Sequence, residues 1–432
     1  MRILLLGSGG RECALAWKLS QSVWANPLYI APGNPGTAKY GININIDINN
    51  FDAVAKFCIY EKIEILIVGP EQPLVDGLYD YFKSREDLKE IYFVGPSKQG
   101  AQLEGSKAFA KEFMKRHNIP TAGYREFTAD NYEEGVKYLE QHPLPIVLKA
   151  DGLAAGKGVI ICQSHVEAVA EFELMLQSEK FGEAGKKVVV EDFLKGIELS
   201  VFVLTDGKNY LILPEAKDYK RIGEGDKGLM TGGMGAISPV PFATPGFMHR
   251  IEERIIKPTV EGLYKEGIEY TGFIFFGLIN VDGDPFVIEY NCRLGDPETE
   301  VVIPRMETDL VGLCVAACNK ELHMVKLRAD ERAVATIMAV SKGYPGFFEK
   351  GFEITGLDGK YGKQSIVFQA GTAEKDGKVV TNGGRVCCVT SYGSTIEEAV
   401  NTSLDVLSYI DYEGLYYRSD IGYEFITSPK KV

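Results

Sequence analysis

Three apolar runs in the first hundred residues each stop at a glycine turn. Ile3–Leu6 enters Gly7-Ser8-Gly9-Gly10, Ile63–Val68 ends at Gly69-Pro70-Glu71, and Ile91–Val94 ends at Gly95-Pro96-Ser97. A further run, Leu28–Ile30, follows Arg11–Ser20, whose Cys13, Leu15, Ala16, Trp17 and Leu19 have helical spacing. Short strands alternating with helices predict a doubly wound parallel sheet, because parallel strands need a crossover and a helix supplies it. Ligands of such sheets sit beyond the carboxyl ends of the strands. The glycine turns therefore mark an edge where a ligand can come close to backbone.

Downstream the pattern changes. Residues 104–120 read as a helix that stops before Pro120. From 124 to about 192, Ile146–Lys149, Val159–Cys162, a helix near 165–178 and Val188–Glu191 make a small α+β unit. A larger α+β unit follows, with strands Leu199–Leu204 and Tyr210–Leu213 and a glycine loop at 223–235. It continues with a helix at 246–266, a hairpin of Phe273–Val281 with Pro285–Asn291, and a helix at 307–320. Charged Lys326–Arg332 reads as a linker, and Arg385–Thr390 as a strand before Ser394-Thr395-Ile396-Glu397, a capping-box pattern. The expected units are 1–122, 123–192, 193–327 and 328–432, in a multidomain chain of α/β and α+β class.

Charge and composition narrow the function. The 47 Lys+Arg against 60 Asp+Glu leave a net charge of -13. Polynucleotide binding draws on a basic surplus, so nucleic acid is excluded as a partner while a small phosphorylated ligand is not. No apolar run reaches the ~18 residues of a membrane span. Met1–Leu6 breaks into glycine too early for a signal peptide, so the expected location is the cytoplasm. The 8 cysteines form no C-x-x-C and the 5 histidines have no metal spacing, which argues for buried thiols and against zinc. Glycine is the outlier: 47 residues, where average usage gives roughly 30.

Five segments carry chemistry. Gly7–Gly10 opens a helix and can offer its amides to a phosphate, but Glu12 stands where a dinucleotide fingerprint needs glycine, and Ala31-Pro32-Gly33 supplies no ribose acid. Lys149-Ala150-Asp151-Gly152-Leu153-Ala154-Ala155-Gly156-Lys157-Gly158 lies between two strands and is one residue short of a P-loop. Its two lysines and small residues suit a triphosphate clamp. Val188–Leu194 leaves a strand at Glu191 with edges that suit a purine, and Glu198 is placed to accept from a ribose. The glycine loop at 223–235, ending Thr231-Gly232-Gly233-Met234-Gly235, reads as a mobile lid that orders on substrate. Last, Glu289, Asn291 and Arg293 share a strand face ahead of Gly295-Asp296-Pro297-Glu298. Two oxygen ligands at that spacing suit Mg2+, and Arg293 can grip a carboxylate or phosphate. With no Ser/His/Asp arrangement, catalysis rests on positioning and charge neutralisation.

These segments, with Val68–Leu74, Gln102–Ala108 and Thr381–Arg385, resemble in order the ATP-grasp carboxylate–amine ligases, and within them the glycinamide ribonucleotide synthetases. The resemblance implies an ATP-grasp fold with an N-terminal doubly wound parallel-sheet domain and a small C-terminal α/β domain. It implies ligation of glycine to 5-phosphoribosylamine through glycyl phosphate, with ATP and Mg2+ (Mn2+ as a substitute), by a monomer or weak dimer. Carried onto this chain, Lys107, Lys149 and Lys157 resemble phosphate contacts, Glu191 and Leu194 the adenine edge, Glu198 the ribose contact, and Glu289 and Asn291 the metal ligands. Arg293, Lys157 and Asp218 resemble catalytic groups. Gly9, Gly10, Pro70 and Glu71 resemble the phosphoribosyl side, and Thr231, Gly232, Gly233, Gly295, Asp296 and Pro297 join Asp218 and Arg293 at the substrate end.

Four places depart from the family pattern: Cys13, Tyr219 and Gln369 each replace a usual His, and Leu229-Met230 replace Pro-Asn. All four are expected on the substrate side. They leave open a related ligase with another amine acceptor, or a nucleotide-binding paralogue without turnover.

Overall fold

The computed structural model describes residues 1–153, 158–177, 186–359 and 361–426. The first strands form the parallel sheet that the glycine turns predict. β1 (Ile3–Gly7), β2 (Leu28–Pro32), β3 (Ile65–Val68) and β4 (Tyr92–Pro96) lie in the order β4-β3-β1-β2, with Ile42–Asn43 outside β2. Ile3–Leu6 is wholly buried, as a central strand covered on both faces must be. Helix α1 (Gly10–Leu19) starts directly beyond β1.

Helix α2 (Lys107–Arg116) leads to a separate antiparallel sheet of β5 (Tyr124–Thr128), β6 (Ile146–Ala150), β7 (Val159–Cys162) and β8 (Lys187–Asp192), in the order β5-β8-β6-β7. It has its own core, built on Phe127, Leu139, Ile146, Leu148, Phe172, Val188 and Val190.

The chain then returns to the first sheet. β9 (Ile197–Thr205) pairs with β10 (Tyr270–Val281), whose other edge takes β11 (Asp284–Asn291). At its start β10 pairs with β4, Tyr270 with Pro96 and Thr271 with Gly95, so one sheet of nine strands runs through both regions. The join needs two glycines: Gly272 sits at φ +153°, and a Cβ there would stand 3.0 Å from the Gly95 nitrogen.

Beyond α3 (Thr299–Arg305), the last sheet centres on β12 (Ala333–Val340) and β13 (Arg385–Gly393). Ser365–Gln369 flanks β13, while Gly235–Ser238 and Lys217–Asp218 extend the sheet beyond β12. Helix α4 (Ile396–Leu407) is capped by Thr395, whose Oγ1 accepts from the Glu398 amide at 3.1 Å, one residue later than the sequence pattern suggests. Among the described residues, no helix is long and apolar enough to cross a membrane.

Three details differ from the sequence reading. The helix expected at 307–320 is Leu310–Cys318, which Asp309 caps by accepting from the Val311 amide, and a separate helix, Thr299–Arg305, precedes it unforeseen. The 246–266 helix holds a π turn at Glu252–Ile256, where Pro258 has no N–H for the preceding turn. The glycine loop is a hairpin, Arg221–Gly223 with Lys227–Met230, clasped by the C-terminal tail. Wholly buried Arg418 donates to both Asp420 oxygens (2.7 and 2.9 Å), to Asp226 (2.8 Å) and to the Arg221 carbonyl (3.1 Å). The Gly225 amide donates to Asp420 at 2.7 Å. Charge-assisted bonds of this kind are among the stronger hydrogen bonds, and they tie the hairpin to the tail.

Candidate active site

The site is built around a bulge in β11. Gly277 of β10 faces Glu289 and Leu278 faces Val287, which leaves Ile288 as an extra residue. A bulge re-aims the side chains beyond it. Val287 is buried before it, and Tyr290 and Cys292 are buried after it, which turns Glu289 and Asn291 together onto the half-buried face. Gly277 makes room, since a Cβ there would stand 3.0 Å from the Glu289 Cγ. Neither Glu289 nor Asn291 makes a side-chain hydrogen bond or ion pair to another described residue. A carboxylate and an amide oxygen on one face, each without a partner among the described residues, are a donor set that fits Mg2+, which takes its remaining ligands from water and phosphate. Among the described residues there is no cluster of three or more His, Cys, Asp or Glu that could hold a metal ion.

Buried lysines surround this face. The Lys149 Nζ donates to the carbonyl of the bulged Ile288 at 3.1 Å and pairs with Glu191 Oε2 at 2.9 Å. Lys111 reaches the same Glu191 oxygen at 3.1 Å, while Glu191 Oε1 is buried without a partner. Burial pushes the Lys111 ammonium down to about 8 despite Glu191. Lys107, at the start of α2, donates to the Gly152 carbonyl at 2.8 Å, and burial lowers it although Glu289 opposes. Asp151 caps the same helix by accepting from the Ala108 amide at 3.1 Å, so the end of β6 docks on α2. On the other side Lys220 forks between Glu198 (2.9 Å) and Asp218 (3.1 Å). Burial would lower Lys220, but Asp218, Glu198 and Glu289 together raise it and keep it charged; Lys220 in turn depresses Glu198.

Arg293 joins this face to the first sheet. Its Nε donates to Glu71 at 3.2 Å and its Nη2 to Glu104 at 2.7 Å. Glu104 also accepts from the Cys292 amide at 2.8 Å. The turn at 295–297 meets three segments. The Arg11 amide donates to Asp296 Oδ2 at 3.3 Å. Arg385 Nη2 pairs with Asp296 Oδ1 at 3.1 Å, and Arg385 Nη1 donates to the carbonyls of Asp296 and Gly232 at 2.7 Å each. A Cβ on Gly233 would stand 2.4 Å from Pro297. Burial would raise Asp296, but Arg385 and Arg11 hold it below the usual carboxylate range. Burial and Asp218 push Glu298 up to about 7.

Comparison with known proteins is decisive at this point. The chain matches the phosphoribosylglycinamide synthetase N domain over residues 1–104, the ATP-grasp (A) domain over 105–299 and the C domain over 334–424. The chain belongs to the phosphoribosylglycinamide synthetase family. The phosphoribosylamine–glycine ligase of Pasteurella multocida is 48% identical over 433 residues, covering 100% of this chain and 99% of that protein. That of Haemophilus influenzae is 49% identical over 429 residues and 99% of each chain. Among solved structures, the phosphoribosylamine–glycine ligase of Thermotoga maritima has a TM-score of 0.83 at 36% identity, covering 98% of this chain and 100% of that one. A biotin carboxylase from Campylobacter jejuni, at 14% identity and a TM-score of 0.73 over 99% of this chain and 95% of that one, shares the ATP-grasp fold.

With the family in view, the expected residues can be placed. Lys107, Lys149, Glu191, Glu198, Asp218, Glu289 and Asn291 gather at one face, and Leu194 lies half-buried in the link between β8 and β9. Gly9, Gly10, Glu71, Thr231–Gly233, Arg293 and Gly295–Pro297 gather at the adjoining one, with Pro70 directly before Glu71. Lys157 lies outside the described residues. The α1 turn is not a bare phosphate cradle: the Gly9 amide donates to Glu12 at 2.7 Å and the Arg11 amide to Asp296. The departures also separate. Cys13 and Gln369 are buried beside each other. Tyr219 points away from Asp218, donates to Glu424 at 2.8 Å and carries the Lys217 ammonium 3.9 Å over its ring, while Leu229 lies exposed on the hairpin. Sequence reasoning missed Glu104, Lys111, Lys220 and Arg385. Lys220 left a local signal, as a cation two residues from Asp218, and Glu104 and Arg385 lie within the resembling segments Gln102–Ala108 and Thr381–Arg385.

Proposed function

We propose that the chain ligates glycine to 5-phosphoribosylamine, forming glycinamide ribonucleotide, ADP and phosphate. The glycine carboxylate attacks the γ-phosphorus of ATP and ADP leaves. The amine then attacks the acyl carbon of glycyl phosphate, releasing phosphate and a proton. The observation that carries this reading is the end-to-end match to ligases of that name, at 48% identity across 100% of the chain.

In this reading Lys107, Lys149 and Lys157 neutralise the ATP phosphates, Glu191 and Leu194 meet the adenine, and Glu198 meets the ribose. The free oxygens of Glu289 and Asn291 hold Mg2+, with Mn2+ as a substitute. The metal would supply charge neutralisation at the phosphoryl oxygens. Arg293, fixed by Glu71 and Glu104, offers a stationary cation, and with Lys157 and Asp218 it acts at the reacting carboxylate. Thr231–Gly233 and Gly295–Pro297 close the glycine side, and Gly9, Gly10, Pro70 and Glu71 hold the phosphoribosyl group. No protein nucleophile is needed, because the activated acyl group belongs to the substrate. The enzyme so read works in the cytoplasm as a monomer or weak dimer, in units 1–122, 123–192, 193–327 and 328–432.

The test is ADP release with Mg-ATP, glycine and freshly made phosphoribosylamine, omitting each in turn. Turnover is expected only with all three and is expected to stop when EDTA removes the metal. ADP release that ignores glycine would overturn the reading.

A further inference from the structure

Glu300 is a buried acid that the reading above does not use. It lies on α3, wholly buried, and neither carboxyl oxygen has a hydrogen-bond partner. A Cβ on Gly10 would stand 2.4 Å from its Oε1, and one on the adjacent Gly9 would stand 3.3 Å from Asp296 Oδ2. The two carboxyl groups therefore pack against neighbouring residues of the α1 turn. Asp296 Oδ1 is also buried, with the Arg385 ion pair at 3.1 Å but no hydrogen bond among the described residues. Arg385 and Arg11 face this pair, but Arg385 is committed to Asp296 and two carbonyls, and Arg11 to Glu12 and the Leu294 carbonyl. The other titratable groups turned toward Glu300 are Glu298 on its own segment, Cys13 on α1 and Cys388 on β13. None is a cation.

An ionised carboxylate with no donor and no free cation costs several kcal/mol to bury. A second charge beside Asp296 adds repulsion, and like pairs of this kind share one proton. Burial first, then Asp296, raises Glu300 well above the usual carboxylate range, while Asp296 is held below it.

We propose that Glu300 is a positioning residue held as a neutral acid beside the Asp296 anion, packing the 295–297 turn against the Gly9–Gly10 turn. Asp296 then stays an anion, aimed by Arg385 and the α1 amides. This role rests on the proposed ligase reading, in which that turn faces substrate. Two of the departures lie beside this group, since the Cys13 thiol lies in the Glu300 field and reaches the Gln369 backbone.

The test compares Glu300→Gln and Glu300→Ala. Gln keeps a neutral donor of the same shape, so E300Q is expected to retain kcat/KM for the amine within about threefold, whereas E300A loses on the order of 100-fold by letting the turn shift. Infrared spectra of the whole protein provide a readout that needs no substrate. At pH 8.5, where Glu298 with its value of about 7 is ionised, the wild type shows the C=O stretch of a protonated carboxylic acid, and E300Q removes it. A wild-type spectrum without that band, or an E300Q as impaired as E300A, overturns the proposal. If the band is present but no phosphoribosylamine-dependent turnover exists, the ligase reading fails and the protonation of Glu300 stands.

Discussion

Glu104→Gln tests how the metal strand is fixed. Glu104 accepts three bonds: from the Cys292 amide (2.8 Å) and thiol (3.2 Å) at Oε2, and from Arg293 Nη2 (2.7 Å) at Oε1. All three partners are donors. Glutamine has the same shape but one acceptor atom, so its NH2 must face either the Arg293 guanidinium or the Cys292 amide. One charge-assisted bond is lost and two donors are opposed in a buried place. Breaking a buried pair costs about 3–5 kcal/mol when the charge is abandoned. Arg293 keeps Glu71 at 3.2 Å, so the charge is not abandoned and the expected loss falls below that range, about 2–3 kcal/mol. Cys292 follows Asn291 directly, so the same change loosens a proposed metal ligand. Urea unfolding of E104Q is expected to show that loss, and the Mg2+ needed for half-maximal ADP release is expected to rise. Cys292→Ser keeps a donor toward Glu104 and is expected to cost under about 1 kcal/mol. An E104Q within about 0.5 kcal/mol of wild type, with the same Mg2+ requirement, would refute the reasoning.

Two further outcomes follow from the packing. Glu298 stands at about 7 in the folded chain against 4.5 unfolded, so between those pH values the folded state binds the extra proton and its stability falls as pH rises. The loss amounts to about 3 kcal/mol and is complete above pH 7; urea midpoints at pH 5.5 and 8 are expected to differ less in Glu298→Gln than in wild type, and an equal difference would count against it. Arg418→Ala leaves Asp226 and Asp420 without their guanidinium. Limited proteolysis is then expected to cut within 221–230, where wild type resists, and an unchanged digestion pattern would mean that the tail does not hold the hairpin.

The sequence shows residues whose function is written locally. The parallel sheet is legible because each strand ends in its own glycine turn. Glu289 and Asn291 are legible because alternation puts them on one face, although the Ile288 bulge that aims them is not, since it depends on the register with Gly277. Arg385 and Glu104 are hidden for a different reason. Arg385 binds Asp296 from 89 positions away and Glu104 binds Arg293 from 189, and no spacing rule relates such pairs. The hairpin form of the glycine loop is hidden too, because six glycines suggest freedom and the contact from Arg418 comes from 197 positions beyond the Arg221 carbonyl that it meets.

The seam between β4 and β10 has a consequence for how the chain is made. Until Tyr270 and Thr271 arrive to pair with Pro96 and Gly95, β4 is an open sheet edge of the kind that recruits other strands. At bacterial or eukaryotic elongation speeds, the roughly 170 intervening residues take roughly 10–30 s to synthesise. During that interval the nascent chain carries its most association-prone surface outside the ribosome. A fragment cut at residue 104, where the N-domain match ends, would carry that surface permanently.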